Sequence, residues 1–407
     1  MLKRSRVLTA LSAAGVGIAL LASNQSAYAA TAQGQANKAQ ADVVGVGSDT
    51  LQFAADFVAD GYGVAGGYNT LGNKYRMINY DATLDSLGRA LYNANGHAYY
   101  SDGNPTGAVV LRGGQKPVED PDGSTAGVAA LLADSPGSGT TYGQNGSTAG
   151  APSGSIQYAR ASRIIKASEE ATCATDSSGC GQLHPVAIGT DTLEMAVVAT
   201  GTNAINLTAA QLKSVYSCAG TNTVGSVSGY FKWSDFGGGS SDVILPVVPQ
   251  TGSGTRNDFL SNIGLGSSYS PPSCVAVGQE HDPQGILQQS NPADAIEPFS
   301  LARATLINSG YFANAGEAAG QISLENTGSF YSFTRNMYVV IREVDNGIVT
   351  PWQPGGTKNW AKQLFIGSTS YLASGPGQAL VQDAGFVGGY VDCGANDSTS
   401  GACPAEG

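Results

Sequence analysis

Charge and histidine are both scarce in this chain. Charged residues make up 13% of its 407 residues, about half of the ~25% usual for a soluble domain. Lys and Arg number 20 against 31 Asp and Glu, a formal net charge of −11, which excludes nucleic acid as a partner because a phosphate backbone demands clustered cations. Three scattered His supply neither a His/Asp metal cluster nor a general base beside a nucleophile, so no metal and no cofactor is expected. Beyond the N-terminus there is no long apolar run, which excludes a membrane-spanning helix from the mature chain. Gly, in contrast, occurs 56 times. With 17 Pro it accounts for 73 of 407 residues, about 18%, below the roughly 25–30% that marks low complexity. The chain is therefore folded and rich in loops, and long enough for two or three domain-sized units.

The N-terminus sets the compartment. Lys3, Arg4 and Arg6 precede an apolar run from Val7 to Ala22, and Ala27-Tyr28-Ala29 offers small residues at both positions that a signal peptidase reads. Residues 1–29 read as a cleaved signal peptide, since the apolar run is broken by Ser and Gly and falls short of the ~20 residues that span a bilayer. Cleavage leaves 378 residues (407 − 29) and removes three positive charges, taking the net charge to −14 (−11 − 3). No Cys lies near the cleavage site, so no lipid anchor is expected, and the mature chain is expected to be secreted, extracellular or periplasmic.

The six Cys agree with an oxidising compartment. Six thiols allow 15 pairings; proximity favours Cys173 with Cys180 and Cys393 with Cys403, which leaves Cys218 with Cys274. A metal site from Cys173, Cys180 and His184 is the weaker reading, because zinc spacings run through closer Cys pairs.

Along the chain, Val43–Gly47 reads as a buried strand, followed by Ser48-Asp49-Thr50 and a helix over Leu51–Asp60 with apolar residues at helical spacing. The same strand, glycine turn and helix grammar recurs, with further strands at 156–159, 185–188, 193–198 and 243–248. Strands separated by helical stretches predict an α/β fold with a mixed or parallel sheet. Residues 134–155 and 235–242 are Gly- and Ser-rich surface excursions.

Three segments place Gly with Ser or Thr between an extended run and a helix start. They are Gly45 to Thr50 (GVGSDT), Asp122 to Gly127 (DGSTAG) and Thr251 to Arg256 (TGSGTR). The first turn of a helix leaves backbone N–H groups unpaired and carries roughly +0.5 charge, so it attracts anions. Each segment alone is ordinarily an N-cap. Converging on one point, they would form an oxyanion site that needs few cations, and surface charge of the wrong sign would be screened beyond about 8 Å. Ser135 to Thr140 (SPGSGT) repeats the composition without a strand before it or an apolar helix after it, and is set aside.

Pro246 to Leu260 (PVVPQTGSGTRNDFL), preceded by Leu207 to Ser217 and Phe231-Lys232-Trp233, resembles the second-lobe core of PstS-like phosphate-binding proteins of the ABC-importer substrate-binding superfamily. Gly45–Thr50, Gly123–Gly127, Ala159–Arg163, Asp294–Ser300 and Thr334–Val340 follow in the family's order, so that the resemblance spans roughly residues 42–390. It implies a bilobal Venus-flytrap of the type II periplasmic-binding-protein kind, two mixed-sheet lobes joined by two crossover strands. Lobe 1 would comprise residues 42–189 plus 336–407, and lobe 2 residues 190–335. The implied function is capture of inorganic phosphate or a related oxyanion for ABC-type import by a monomer that meets an ABC permease, without catalysis.

Carried over, the resemblance implies ligand binding by Ser48, Asp49, Thr50, Gly123, Ser124, Thr125, Ser253, Gly254 and Thr255. Two positions depart from the family. Arg163 stands where the family has a cleft Asp, and Pro249 where it has a cleft Arg, with Arg256 available to replace that cation. The expectation is therefore a site with two Arg and no carboxylate acceptor, with weakened discrimination against sulfate; the competing role for Arg163 is an ion pair with Glu169 or Glu170. Asp191 and Glu194 read as hinge or rim residues, and Glu119, Asp120 and Asp122 as an incomplete calcium loop. His281-Asp282 as a dyad with Ser253 lacks the Gly-x-Ser-x-Gly elbow, and Trp233, Trp352 and Trp360 read as packing residues. The alternatives are a secreted phosphate-ester hydrolase, with Thr255 or Ser253 as nucleophile and Arg163 and Arg256 stabilising charge, and an unanchored extracellular scavenger or interaction protein.

Overall fold

The computed structural model describes residues 42–72, 76–82, 100–101, 104–105, 108–109, 111, 118–135, 155–176, 179–266, 268–312, 319–325, 331–346, 359–395 and 403. The expected signal peptide, most of the 134–155 excursion and Trp352 lie outside the described residues.

The ten strands of the main sheet are β1 (Asp42–Gly47), β2 (Arg76–Asn79), β3 (Tyr158–Ala161), β4 (Leu183–Val198), β5 (Leu245–Pro249), β6 (Ala276–Gly278), β7 (Ala295–Ser300), β8 (Ile322–Leu324), β9 (Phe333–Arg342) and β10 (Val387–Asp392). Their helices are α1 (Gln52–Asp60), α2 (Ser124–Ala133), α3 (Ala167–Thr175), α4 (Ala209–Tyr216), α5 (Gly254–Asn262), α6 (Leu301–Asn308) and α7 (Gly375–Asp383). The sheet order is β6-β5-β7-β4-β9-β3-β1-β2, with β8 and β10 also pairing on β4. β1 is parallel to β2 and β3, and β5 is parallel to β6 and β7. Between these parallel sets, β4 and β9 run antiparallel from Leu183↔Arg342 to Leu193↔Phe333. The mixed α/β architecture is the one the sequence grammar predicts.

The sequence suggested two strands, at 185–188 and 193–198; the structure has one strand of 16 residues. Gly189 did not end it. The register shifts between Ala187 and Gly189 and the ladder continues, because a bulge absorbs one extra residue without ending the pairing.

Strands buried on both faces read as continuous apolar runs. In β9, Met337, Val339 and Ile341 enter one core and Tyr338 and Val340 another, so the period of two divides the strand between opposite faces. Both of these cores draw on residues 43–188 and 337–393. A third core is built from Leu193 to Tyr331, around Trp233, Phe259 and Phe299. α6 serves two cores: Ala302 and Leu306 pack with Phe57 and Leu380, while Ala304 and Ile307 pack in the third. Trp233 and Trp360 are buried packing residues, and Trp233 Nε1 also donates to Asp294 Oδ1 (2.8 Å).

The disulfides are Cys173–Cys180, Cys218–Cys274 and Cys393–Cys403, the pairing that spacing favoured. Among the described residues no helix is long and apolar enough to cross a membrane.

Candidate functional site at the carboxyl ends of the parallel strands

The chain leaves β1, β3, β5, β6 and β7 at one place, where ligand sites of α/β sheets ordinarily form. α2 and α5 begin against each other there. The Thr125 amide donates to the Gly252 carbonyl (3.2 Å). The approach depends on two glycines: a Cβ on Gly123, whose φ is +96°, would lie 2.5 Å from Gly252 O, and one on Gly254 would lie 2.2 Å from Ser162 Oγ and 2.5 Å from Ser124 Oγ. Ser124 Oγ accepts from the Ser162 amide (2.9 Å), and Ser253 Oγ caps α5 by accepting from the Arg256 amide (3.0 Å).

The β1–α1 turn is fixed by Arg160 on β3. Its buried guanidinium donates to the carbonyls of Gly47 (3.0 Å), Ser48 (3.2 Å) and Tyr80 (2.6 Å) and to Asn79 Oδ1 (2.9 Å). Thr50, from this turn, meets Thr255, from the first turn of α5, through two shared partners. His281 Nε2 lies 3.0 Å from Thr50 Oγ1 and 3.2 Å from Thr255 Oγ1, and Arg335 Nη2 lies 3.4 and 2.8 Å from the same two oxygens. Glu280 Oε1 accepts from the Thr255 amide and from the Thr50 hydroxyl, both at 3.2 Å. All five side chains are buried. The three helix starts therefore do converge.

Beneath them, Arg335 is held by Asp191 Oδ2 and Asp258 Oδ2 at 3.1 Å each. Asp191 is its direct cross-strand partner in the β4–β9 ladder and also accepts from Ser300 Oγ (2.8 Å). Burial disfavours the Arg335 charge, but Asp191, Asp258 and Glu280 together raise its pKa and keep it a cation. Burial pushes His281 well down, and Arg303 and Arg335 add to this, so the ring is neutral near pH 7. The Ser300 amide donates to its Nδ1 (3.3 Å), which places the ring proton on Nε2, facing the two threonine hydroxyls. Asp122 is pushed well up by burial, then by Asp49 and Glu280; it accepts from Gln250 Nε2 (2.9 Å) and Gln279 Nε2 (3.1 Å).

The two arginines expected in the ligand set have protein partners of their own. Arg163 forms a two-pronged pair with Glu169 (2.6 and 3.1 Å), the ion pair weighed as its competing role, and gives further bonds to the Ile164 carbonyl (2.8 Å) and Thr125 Oγ1 (3.1 Å). Arg256 donates to the Pro249 carbonyl (3.0 Å), back along its own strand end. Asp49 faces Arg303 (3.5 Å), whose guanidinium lies over Phe53 and Phe312. The cation bonded to Thr50 and Thr255 is Arg335, and Glu280 is a carboxyl group that accepts from the same two residues. Asp191, read as hinge or rim, lies under the site. His281 addresses Thr50 and Thr255 instead of Ser253, and Asp282 Oδ1 accepts from the Gln284 amide, so the Ser253 dyad does not form.

Sequence reasoning did not single out Arg335, Arg160 or Glu280. A signal existed for Arg160, a cation between two alanines inside a strand, because a buried charge requires partners; Arg335 stands between Thr334 and Asn336 and had only its place in a strand. Glu280 had none, since it sits in a loop.

The family model described as "PBP superfamily domain" matches residues 113–326. The chain belongs to the PBP superfamily. The matched span holds two of the three helix starts and Glu280, while Thr50 and Arg335 fall outside it. No curated protein matches this PBP-superfamily chain. Among solved structures, a Clostridium perfringens protein assigned to phosphate ABC transport as a substrate-binding protein, with phosphate bound, is 14% identical with a TM-score of 0.48, covering 86% of this chain and 99% of its own. An ABC-type phosphate transport receptor from Vibrio cholerae is 16% identical with a TM-score of 0.46, covering 85% and 99%.

Proposed function

We propose that this PBP-superfamily protein is a secreted, non-enzymatic substrate-binding protein that captures inorganic phosphate, or a similar oxyanion, for ABC-type import. The observation that carries this is the meeting of the Ser48–Thr50, Gly123–Thr125 and Ser253–Thr255 segments at one buried point with the Arg335 guanidinium. Helix starts and hydroxyls supply hydrogen-bond donors, and one guanidinium supplies charge, in a setting where burial strengthens both. We read residues 42–189 with 336–407 as one lobe and 190–335 as the other, joined by β4 and β9, so that Thr50 and Thr255 reach the ligand from opposite lobes. The ligand set proposed is Ser48, Thr50, Ser124, Ser253, Gly254, Thr255 and Arg335, with Arg163 and Arg256 as flanking cations.

A hydrolase would need a base on Thr255. His281 is within reach at 3.2 Å, but its Nδ1 accepts from Ser300, so its Nε2 bears the proton and has no lone pair to take another. This favours binding over catalysis.

Isothermal titration calorimetry of the refolded, phosphate-stripped mature protein, at pH 6 and pH 8 with sulfate as competitor, tests the reading. Micromolar or tighter phosphate binding is expected. No heat with either anion overturns it.

A further inference from the structure

Glu280 accepts from donors on Thr50 and Thr255, two residues of the proposed ligand set. Its Oε1 accepts from the Thr255 amide at the start of the nine-residue helix α5 and from the Thr50 hydroxyl, and lies 3.6 Å from His281 Nε2. Its Oε2 is buried and has no hydrogen-bond partner among the described residues. Two donors on residues of the same cluster are also unanswered: Arg335 Nε and Ser48 Oγ are buried without a hydrogen-bond partner among the described residues. A carboxylate that satisfies one amide and one hydroxyl while leaving its second oxygen and two neighbouring donors unmatched is a partial fit to a site with room for more bonds. Each unmatched buried polar group keeps its desolvation cost without the bond that would offset it.

The segment that delivers Glu280 is held in place by its neighbours. Its amide donates to Gln250 Oε1 (2.7 Å), and Gln250 and the preceding Gln279 both bond Asp122. His281, directly after it, has φ +57°, a left-handed conformation that is uncommon for a residue with a Cβ.

We propose that Glu280 is an internal competitor of the ligand, a tethered carboxylate that takes the donors an oxyanion would use and must be displaced for an anion to bind. Displacement frees the Thr255 amide and the Thr50 hydroxyl together, so the incoming anion inherits donors from both sides of the site. A tetrahedral oxyanion also offers acceptors to Arg335 Nε and Ser48 Oγ, which the carboxylate leaves unmatched. The apparent affinity for anion is then the intrinsic affinity multiplied by the fraction of molecules in which Glu280 has withdrawn. This role rests on the oxyanion reading given above, but the test separates the two.

Glu280→Gln and Glu280→Ala are compared with the unaltered mature protein by phosphate titration calorimetry and by thermal unfolding in formate, acetate and phosphate. The expected result is phosphate affinity at least about tenfold tighter in both variants. In Glu280→Ala, formate or acetate should raise the Tm while leaving the unaltered protein unmoved, because a free carboxylate re-enters the vacated position. Small carboxylates stabilising Glu280→Ala when the unaltered protein binds no phosphate would uphold the competitor role and sink only the phosphate reading. Phosphate affinity equal to or weaker than that of the unaltered protein, or no Tm response of Glu280→Ala to any of the three anions, overturns the competitor role.

Discussion

Arg335 Nη2 lies 2.8 Å from Thr255 Oγ1 and 3.1 Å from Asp191 Oδ2, so one buried guanidinium joins the start of α5 to the long strand β4. Its other amino group bonds Asp258 at 3.1 Å. The residue thus has a structural part and a ligand-facing part. Arg335→Met leaves two carboxylates without their cation and should cost about 3–5 kcal/mol of stability. Arg335→Lys keeps the charge but not the fork. It should recover most of the Tm while phosphate affinity stays about tenfold or more below that of the unaltered protein. Thermal unfolding and calorimetry on the same two variants check this; full affinity in Arg335→Lys would remove the guanidinium from the ligand set.

Arg163 makes the contrasting prediction. Both arms of its guanidinium pair with Glu169, and they also bond the Ile164 carbonyl and Thr125 Oγ1. A neutralised cation adds little to anion affinity, so Arg163→Ala should change the phosphate Kd by less than about threefold. A loss above tenfold in calorimetry would show that the pair opens and the arginine turns to the ligand.

The disulfides differ in the chain they enclose. Cys218–Cys274 closes a separation of 56 residues, against 7 for Cys173–Cys180 and 10 for Cys393–Cys403. Chain-entropy arguments assign about 4 kcal/mol to the long loop and about 2–3 kcal/mol to each short one. Replacing each pair by Ser in turn should therefore lower the Tm most for Cys218 with Cys274. An equal or smaller drop there would mean that the unfolded chain is already constrained over that stretch.

Glu325 gives the alkaline limb of stability a named source. Burial pushes its carboxyl up to about 8, and Oε1 finds no hydrogen-bond partner among the described residues. The folded protein holds this proton between the ordinary carboxyl range near 4.5 and about 8, whereas the unfolded chain does not. Its contribution is therefore full below about pH 4.5 and is lost as pH rises through about 8. Glu325→Gln, uncharged at every pH, should flatten the fall in Tm between pH 5 and pH 8. An unaltered slope in differential scanning calorimetry would place the titrating group elsewhere.

Much of this protein was legible in its residues. Strand, glycine turn and helix in repetition predict a mixed α/β sheet because each step is decided locally, by apolar periodicity and by Gly and Ser at helix starts. The Cys pairing also followed from spacing, since short loops close at the least entropic cost. The three Gly/Ser/Thr segments could be recognised as donors one at a time. That they meet, and that Gly123 and Gly254 are small because another backbone or hydroxyl lies against them, is a property of the sheet order. The same holds for charge. Arg163 and Arg256 stood out by adjacency to the motifs, yet the chain turns one onto Glu169 and the other onto Pro249 O. Arg335 and Glu280, 80 and 25 residues from Thr255, are the groups brought to its side chain and amide. Sequence determined which groups could donate, because hydrogen-bonding capacity belongs to the residue. Tertiary structure decided which were already satisfied, because the partners of a buried charge arrive along strands β4 and β9 and the loop after β6, from parts of the chain that no local pattern connects.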